Sequence, residues 1–239
     1  MILLDPFGIF SPRWLVVGKP AILAQKYYED GIDEIIYMDV VASLYERNSL
    51  TNVIKNAASN IFVPLTVGGG IRNVEDIKSV LANGADKVAI NTEVLKNPIL
   101  IKQASELVGS QAIVLSVEAK KLENGRWEAY YDNGREKSGR DVNEWIEEAI
   151  SLGAGEIIIT SVDKEGMQKG MDIELLSEVF NKSSVPVIVS GGVGKVDHIV
   201  DASPFADGIA IASVLHYNEL TVSHIKNKLL EKHIVVRSG

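Results

Sequence analysis

Apolar residues fall into short unbroken runs, separated by longer stretches in which they recur every three or four positions. The runs occupy residues 2–4, 34–40, 61–67, 86–91, 111–118, 155–161, 185–190 and 207–213. They do not alternate with polar residues, as expected of parallel strands covered on both faces. Between them, "NVEDIKSVLANGAD" shows the helical signals most clearly. Asn73 can cap, Glu75 and Asp76 sit in the first turn, and Asn83-Gly84 ends the element. "PAILAQKYYEDG" and "DVNEWIEEAISLGAG" have the same form. Eight strands in strict alternation with helices predict a (β/α)8 TIM barrel. Residues 119–140 break the rhythm, with Asn124-Gly125 and Asn133-Gly134 around the strand-like "RWEAYY". This predicts a β-hairpin insertion after the fifth strand. No linker or low-complexity segment interrupts the chain, so residues 1–239 are expected to form one domain.

The pattern also repeats. "VPLTVGGGI" begins at Val63 and "VPVIVSGGV" at Val185, 122 residues later. "DEIIYMDVVAS" from Asp33 matches "GEIIITSVDKE" from Gly155 at the same spacing, and "ADKVAINTEVL" from Ala85 matches "ADGIAIASVLH" from Ala206 at 121. Strands two to four thus recur as strands six to eight, an internal half-barrel duplication that puts equivalent positions on opposite sides of the ring. Sites of such barrels lie at the C-terminal strand ends. Gly68, Gly69 and Gly70 fall there, with Gly191 and Gly192 opposite. Glycines suit a tight turn, but bare amides followed by a helix start also favour a phosphate. Asn91 and Thr92 on one side, and Ala212 and Ser213 on the other, can complete two cradles. Two facing cradles imply a ligand with a phosphate at each end.

A net charge of −8 argues against nucleic acid or an anionic membrane surface as partner, and 46% hydrophobic residues support a large core. With no cysteine, thiolate nucleophiles, disulfides and zinc–sulfur sites are excluded. The first ten residues lack a basic segment, and no apolar run approaches the roughly 18 residues of a membrane span. A soluble cytoplasmic protein is expected, without metal or cofactor.

Candidate chemistry lies between the cradles. Asp5 and Glu118 end the first and fifth strands, facing one another across the mouth. Two carboxylates flanking a ligand suit proton delivery on one side and removal on the other. Asp163, Glu165 and Gly166 belong to the loop "VDKEGMQKG" and, like Asp39, read as binding or orienting groups. Lys120 could touch the ligand or remain solvated. His198, His216, His224 and His233 lack metal-ligand spacing and read as core or surface residues.

"VPLTVGGGIRNVEDIKSVLANGADKVAINTEVL", "GAGEIIITSVDKEG", "VPVIVSGGVG" and "ASVLHY" resemble HisF, the cyclase subunit of imidazole glycerol phosphate synthase, over about residues 18–237. The sister isomerase HisA shares the duplicated barrel, but "ADKVAINTEVL" and "ASVLHY" look more like the cyclase. The resemblance implies a bisphosphorylated formimino aminoimidazole carboxamide ribonucleotide as substrate. Ammonia from a HisH-type glutaminase would travel along the barrel axis, giving imidazole glycerol phosphate and aminoimidazole carboxamide ribotide in histidine biosynthesis. It places Asp5 and Glu118 at the catalytic positions. It puts Glu34, Lys87 and Glu156 at the ammonia entrance and Asp86 at the glutaminase interface. The chain departs from the family pattern at four places. Glu118 replaces an aspartate, an arginine before the first strand is absent, the first loop lacks "DGRVVKG", and Met167 replaces a threonine. The altered region around the first strand and Glu118 suit a paralogue that directs ammonia to amidination of a surface sugar. A non-catalytic, glutaminase-activating scaffold would not need the two cradles.

Overall fold

The computed structural model describes residues 2–4, 19–39 and 47–237. Eight parallel strands form the main ladder: β1 (Ile2–Leu4), β2 (Ile35–Met38), β3 (Leu65–Gly68), β4 (Lys87–Ile90), β5 (Ile113–Lys121), β8 (Glu156–Ser161), β9 (Val187–Ser190) and β10 (Gly208–Ala210). The predicted insertion is β6 (Trp127–Tyr131) and β7 (Glu136–Asp141), which extend β5 as an antiparallel sheet. β5 is longer than its neighbours because its outer half leaves the barrel: Glu118 pairs with Thr160 on one side and Tyr130 on the other.

Helices lie outside the sheet, among them α1 (Pro20–Glu29), α2 (Arg47–Ala58), α3 (Val74–Ala82), α4 (Thr92–Lys96), α5 (Ile99–Val108) and α6 (Val142–Ser151). α7 (Ile173–Lys182), α8 (Val196–Ala202), α9 (Ser213–His216) and α10 (Val222–Glu231) complete them. The cap read from the sequence at Asn73 works as expected, and the structure adds one at Asp141, while α1 starts with Pro20 and no side-chain cap. Asn73 Oδ1 accepts the Asp76 amide at 3.0 Å, and Asp141 accepts the amides of Asn143 and Glu144 at the start of α6. The third strand starts later than its apolar run. Pro64 has no N–H for the ladder, its carbonyl accepts Ile35 N at 3.0 Å, and Phe62 stands 84% exposed.

Two apolar layers hold the molecule. The larger lies between sheet and helices, with Leu65, Ile77, Ile101, Ile113, Trp145 and Leu176 fully buried. Each such side chain contributes about 1.5–3 kcal/mol over leaving it in water. The smaller layer is Ile36, Ala89, Val114, Ile158, Ile188 and Ala210. These come from β2, β4, β5, β8, β9 and β10, so strands near both ends of the ladder meet in one interior and the sheet curls into a barrel. The outer ring joins likewise. Val222 N donates to Asp30 Oδ2 at 2.6 Å, Lys226 Nζ to Asp33 Oδ1 at 2.7 Å, and Tyr27 Oη lies 2.6 Å from His216 Nδ1. The last helices are thereby fastened to the first.

The duplication is visible in the backbone. Ile35 N to Pro64 O and Ile157 N to Pro186 O are both 3.0 Å. Asp86 Oδ2 accepts Leu65 N at 2.8 Å, as Asp207 Oδ2 accepts Val187 N at 2.8 Å. Among the described residues no helix is long and apolar enough to cross a membrane.

Candidate functional site at the C-terminal rim

Strand periodicity fixes what faces the pore. Side chains alternate at period two, so Glu118 shares the inward face of Val114 and Ser116, while Glu34, Lys87 and Glu156 share that of Ile36, Ala89 and Ile158. The first set reaches the C-terminal rim and the second the opposite end.

At the rim the two glycine turns have nearly the same shape. Gly69 has φ 96° and Gly191 95°, and Asn91 (φ −127°, ψ −82°) matches Ala212 (φ −125°, ψ −81°). Neighbouring backbone also demands these glycines. A Cβ on Gly69 would lie 2.0 Å from the Asp39 carbonyl oxygen, and one on Gly192 would lie 2.2 Å from that of Gly170. Close loop packing is thus a second reason for the missing side chains, beside the anion read from the sequence. On the second side Glu165 Oε2 would lie 3.0 Å from a Cβ on Gly191, and Gly166 has φ 69°. Gln168 Nε2 donates to Ser213 Oγ at 3.3 Å. Asp163 is exposed and accepts the Lys121 amide at 2.8 Å, which ties its loop to the hairpin.

On the first side a cavity of about 290 Å3 opens between Asp39, Gly69, Gly70, Asn91, Thr92 and Glu118. Glu118 is its central titratable group. Burial pushes its carboxyl up to about 7, and the nearby charge of Asp132 adds to this against the opposing Gly134 amide. Gly134 N donates to Glu118 Oε2 at 2.7 Å, and Asn91 Nδ2 donates to the Tyr130 carbonyl at 3.2 Å. The hairpin is therefore a wall of the site. Lys120 lies over the Tyr130 ring, with Nζ 5.4 Å from the centroid. The sequence reading missed Arg72, Lys96, Asp132 and Asn133, which line the same cavity. Arg72 could have been found two residues beyond the triple glycine; the hairpin residues come close only through tertiary packing.

Asp5 and most of the first loop lie outside the described residues, so the pairing of Asp5 with Glu118 belongs to the proposal below. Met167 is half exposed. His198 Nδ1 accepts Gly194 N at 3.1 Å and His216 meets Tyr27, in keeping with structural roles. Among the described residues no group of three His, Asp or Glu side chains could hold a metal ion.

At the opposite end, Lys87 Nζ lies 2.6 Å from Glu156 Oε2 and 3.0 Å from Glu34 Oε1, which also accepts Thr66 Oγ at 2.9 Å. The two glutamates are repeat equivalents, while glycine occupies the counterpart of Lys87, so one ammonium serves two carboxylates. Burial disfavours the Lys87 charge, but the hydrogen bonds to Glu156 and Glu34 outweigh it and hold the pKa above the ordinary lysine value. Burial raises Glu156 despite Lys87. Thr66, a polar residue within an apolar run, was a signal the sequence reading did not use. Asp86 is exposed, with one oxygen committed to Leu65 N.

This duplicated barrel, with paired glycine turns and a charged lower end, coincides with a known family. Residues 8–221 match the profile of the histidine biosynthesis proteins. The chain is 54% identical over 190 residues to imidazole glycerol phosphate synthase subunit HisF of Legionella pneumophila, covering 80% of this chain and 90% of that one. The chain belongs to the HisF family. The HisF subunits of Streptococcus sanguinis and Sulfurisphaera tokodaii are each 44% identical, over 223 and 220 residues. Each alignment covers 92% of this chain and 88% of the relative. Family membership accounts for the duplication and for the alternation of strand and helix along the chain.

Proposed function

We propose that this chain is the cyclase subunit of an imidazole glycerol phosphate synthase, an enzyme of histidine biosynthesis working within a multi-subunit complex. The observation that carries the reading is the pair of matched glycine turns at the ends of repeat-related strands, with Glu118 lining the cavity beside the first of them. Such a rim suits a ligand with a phosphate at each end. Gly69, Gly70, Asn91 and Thr92 would hold one phosphate. Gly191, Gly192, Ala212 and Ser213 would hold the other, with Glu165 and Gly166 alongside and Asp163 bracing the loop.

A HisH-type glutaminase would dock at the lower end, where Asp86 lies. Ammonia would enter past Glu34, Lys87 and Glu156. The apolar lining beyond them favours the neutral molecule over ammonium, because an unpaired charge is costly to desolvate. At the rim the ammonia nitrogen attacks the substrate carbonyl carbon and water leaves. Cleavage of a C–N bond then releases aminoimidazole carboxamide ribotide as the imidazole ring closes. Asp5 and Glu118 would move the protons from opposite sides, and a carboxyl near pH 7 suits either direction.

Purified protein supplied with ammonium salts is expected to convert the bisphosphorylated substrate, followed by chromatography of the two products. Phosphate binding without turnover would reject this acceptor. It would favour the sugar-amidating paralogue, for which the longer Glu118 side chain, drawn to Gly134, is the specific observation. Asp5→Asn is expected to lower turnover by about 10²–10⁴-fold while substrate affinity changes little. Retained turnover would remove Asp5 from the mechanism.

A further inference from the structure

The two halves of the rim share a backbone but not a charge. Arg72 and Lys96 line the first cavity. Their repeat equivalents, 122 and 121 residues on, are Gly194 and Tyr217. The matching dihedrals at Gly69 and Gly191, and at Asn91 and Ala212, show that the difference lies in side chains rather than in the fold.

We propose that Arg72 and Lys96 make the first-half cradle the principal anchor of the ligand, a site for the dianion of a phosphate monoester. This rests on the reading of the rim as a bisphosphate site and adds which end is held by side-chain cations. Arg72 is placed rigidly. Its amide donates to Asp76 Oδ2 at 2.9 Å, Asp76 is 5% exposed, and Asn73 caps the helix that follows. The Arg72 side chain is exposed, and among the described residues its guanidinium makes no ion pair. Lys96 is positioned by the hairpin, with Nζ 5.1 Å from the centroid of the Tyr131 ring. A guanidinium fork and a nearby ammonium are the donors that a phosphate takes best.

The cavity needs these cations. Asp39, Glu93, Glu118 and Asp132 line it as well. Backbone amides facing four carboxylates would stand in a field that repels an anion, and two cations offset much of it. The second half is furnished differently. Ser213 Oγ is engaged by Gln168, which also donates to Glu219 Oε2 at 3.2 Å, and Lys195 lies 3.9 Å from Asp197. That end offers backbone amides and a hydroxyl, and holds its phosphate less firmly.

The test titrates inorganic phosphate into the full chain, followed by 31P NMR or calorimetry, and measures KM for the bisphosphorylated substrate with ammonium. Arg72→Gln combined with Lys96→Gln should weaken phosphate binding by about 10–100-fold and flatten its dependence on salt. The double variant should raise KM more than it lowers kcat. Ser213→Ala should weaken the phosphate titration less. Both replaced side chains are exposed, and unchanged circular dichroism would show that the variants fold. Wild-type affinity and KM in the double variant, or a larger effect from Ser213→Ala, would overturn the proposal while leaving the bisphosphate reading standing. A wild-type chain that neither binds phosphate nor turns over would sink that reading, and this one with it.

Discussion

Glu118→Gln should lower turnover by roughly 10²–10⁴-fold and, above pH 7, make the protein more stable than the wild type. Both effects have one cause. The carboxyl is held at about 7 against an ordinary 4.5, chiefly because burial disfavours its charge. Between those values the folded chain binds a proton that the unfolded chain has lost, so stability falls as pH rises through that window. The shift corresponds to at most about 3 kcal/mol once the group is fully ionised. Glutamine keeps an acceptor for the Gly134 amide and carries no charge. The variant should therefore melt several degrees above wild type at pH 8, at about 2–4 °C per kcal/mol for a chain of this size. The two curves should converge below about pH 4.5, the ordinary value of the group. The wild-type rate profile should show an inflection near 7 that is absent from the residual activity of the variant. Equal melting temperatures at pH 8 would show that Glu118 is not held in the environment described.

Lys87→Met should destabilise the fold by about 3 kcal/mol near neutral pH, since removing one partner of a buried ion pair leaves uncompensated charge. Here it leaves two carboxylates, Glu34 and Glu156, which in the wild type share a single ammonium at 3.0 and 2.6 Å. Their side chains are 15% and 13% exposed, so water screens them little. Repulsion raises the pKa of at least one of them, and a raised carboxylate costs stability as pH rises. The deficit should thus be largest at pH 8 and shrink towards pH 5, as read by urea unfolding. Glutamine-driven turnover with a glutaminase partner should fall more than ammonium-driven turnover, because ammonium salts can supply the rim from bulk solvent. A variant as stable as wild type at pH 8 would show that the cluster is not a desolvated pair.

The amino-acid order alone determined the architecture. Unbroken apolar runs can be satisfied only by strands covered on both faces, and the 122-residue repeat specified that the second half would copy the first. The same repeat located both glycine turns, and the family resemblance singled out Glu34, Lys87, Glu156 and Asp86. The cap at Asn73 was legible too, because a cap is a local hydrogen bond between neighbours in sequence.

The tertiary structure decided what depends on distant segments meeting. That Gly69 must be glycine because the Asp39 carbonyl presses on it is a matter of loop packing. That the hairpin turns back to give Glu118 the Gly134 amide, and so forms a wall of the cavity, could not be read from its turn residues. Nor could the meeting of Arg72 and Lys96 in one cavity, or the arrangement of one lysine between two glutamates. A sequence pattern reports whether a residue is buried. Its charge state and its partners depend on which other strands bring their groups within a few ångströms, and only the closed barrel sets those distances.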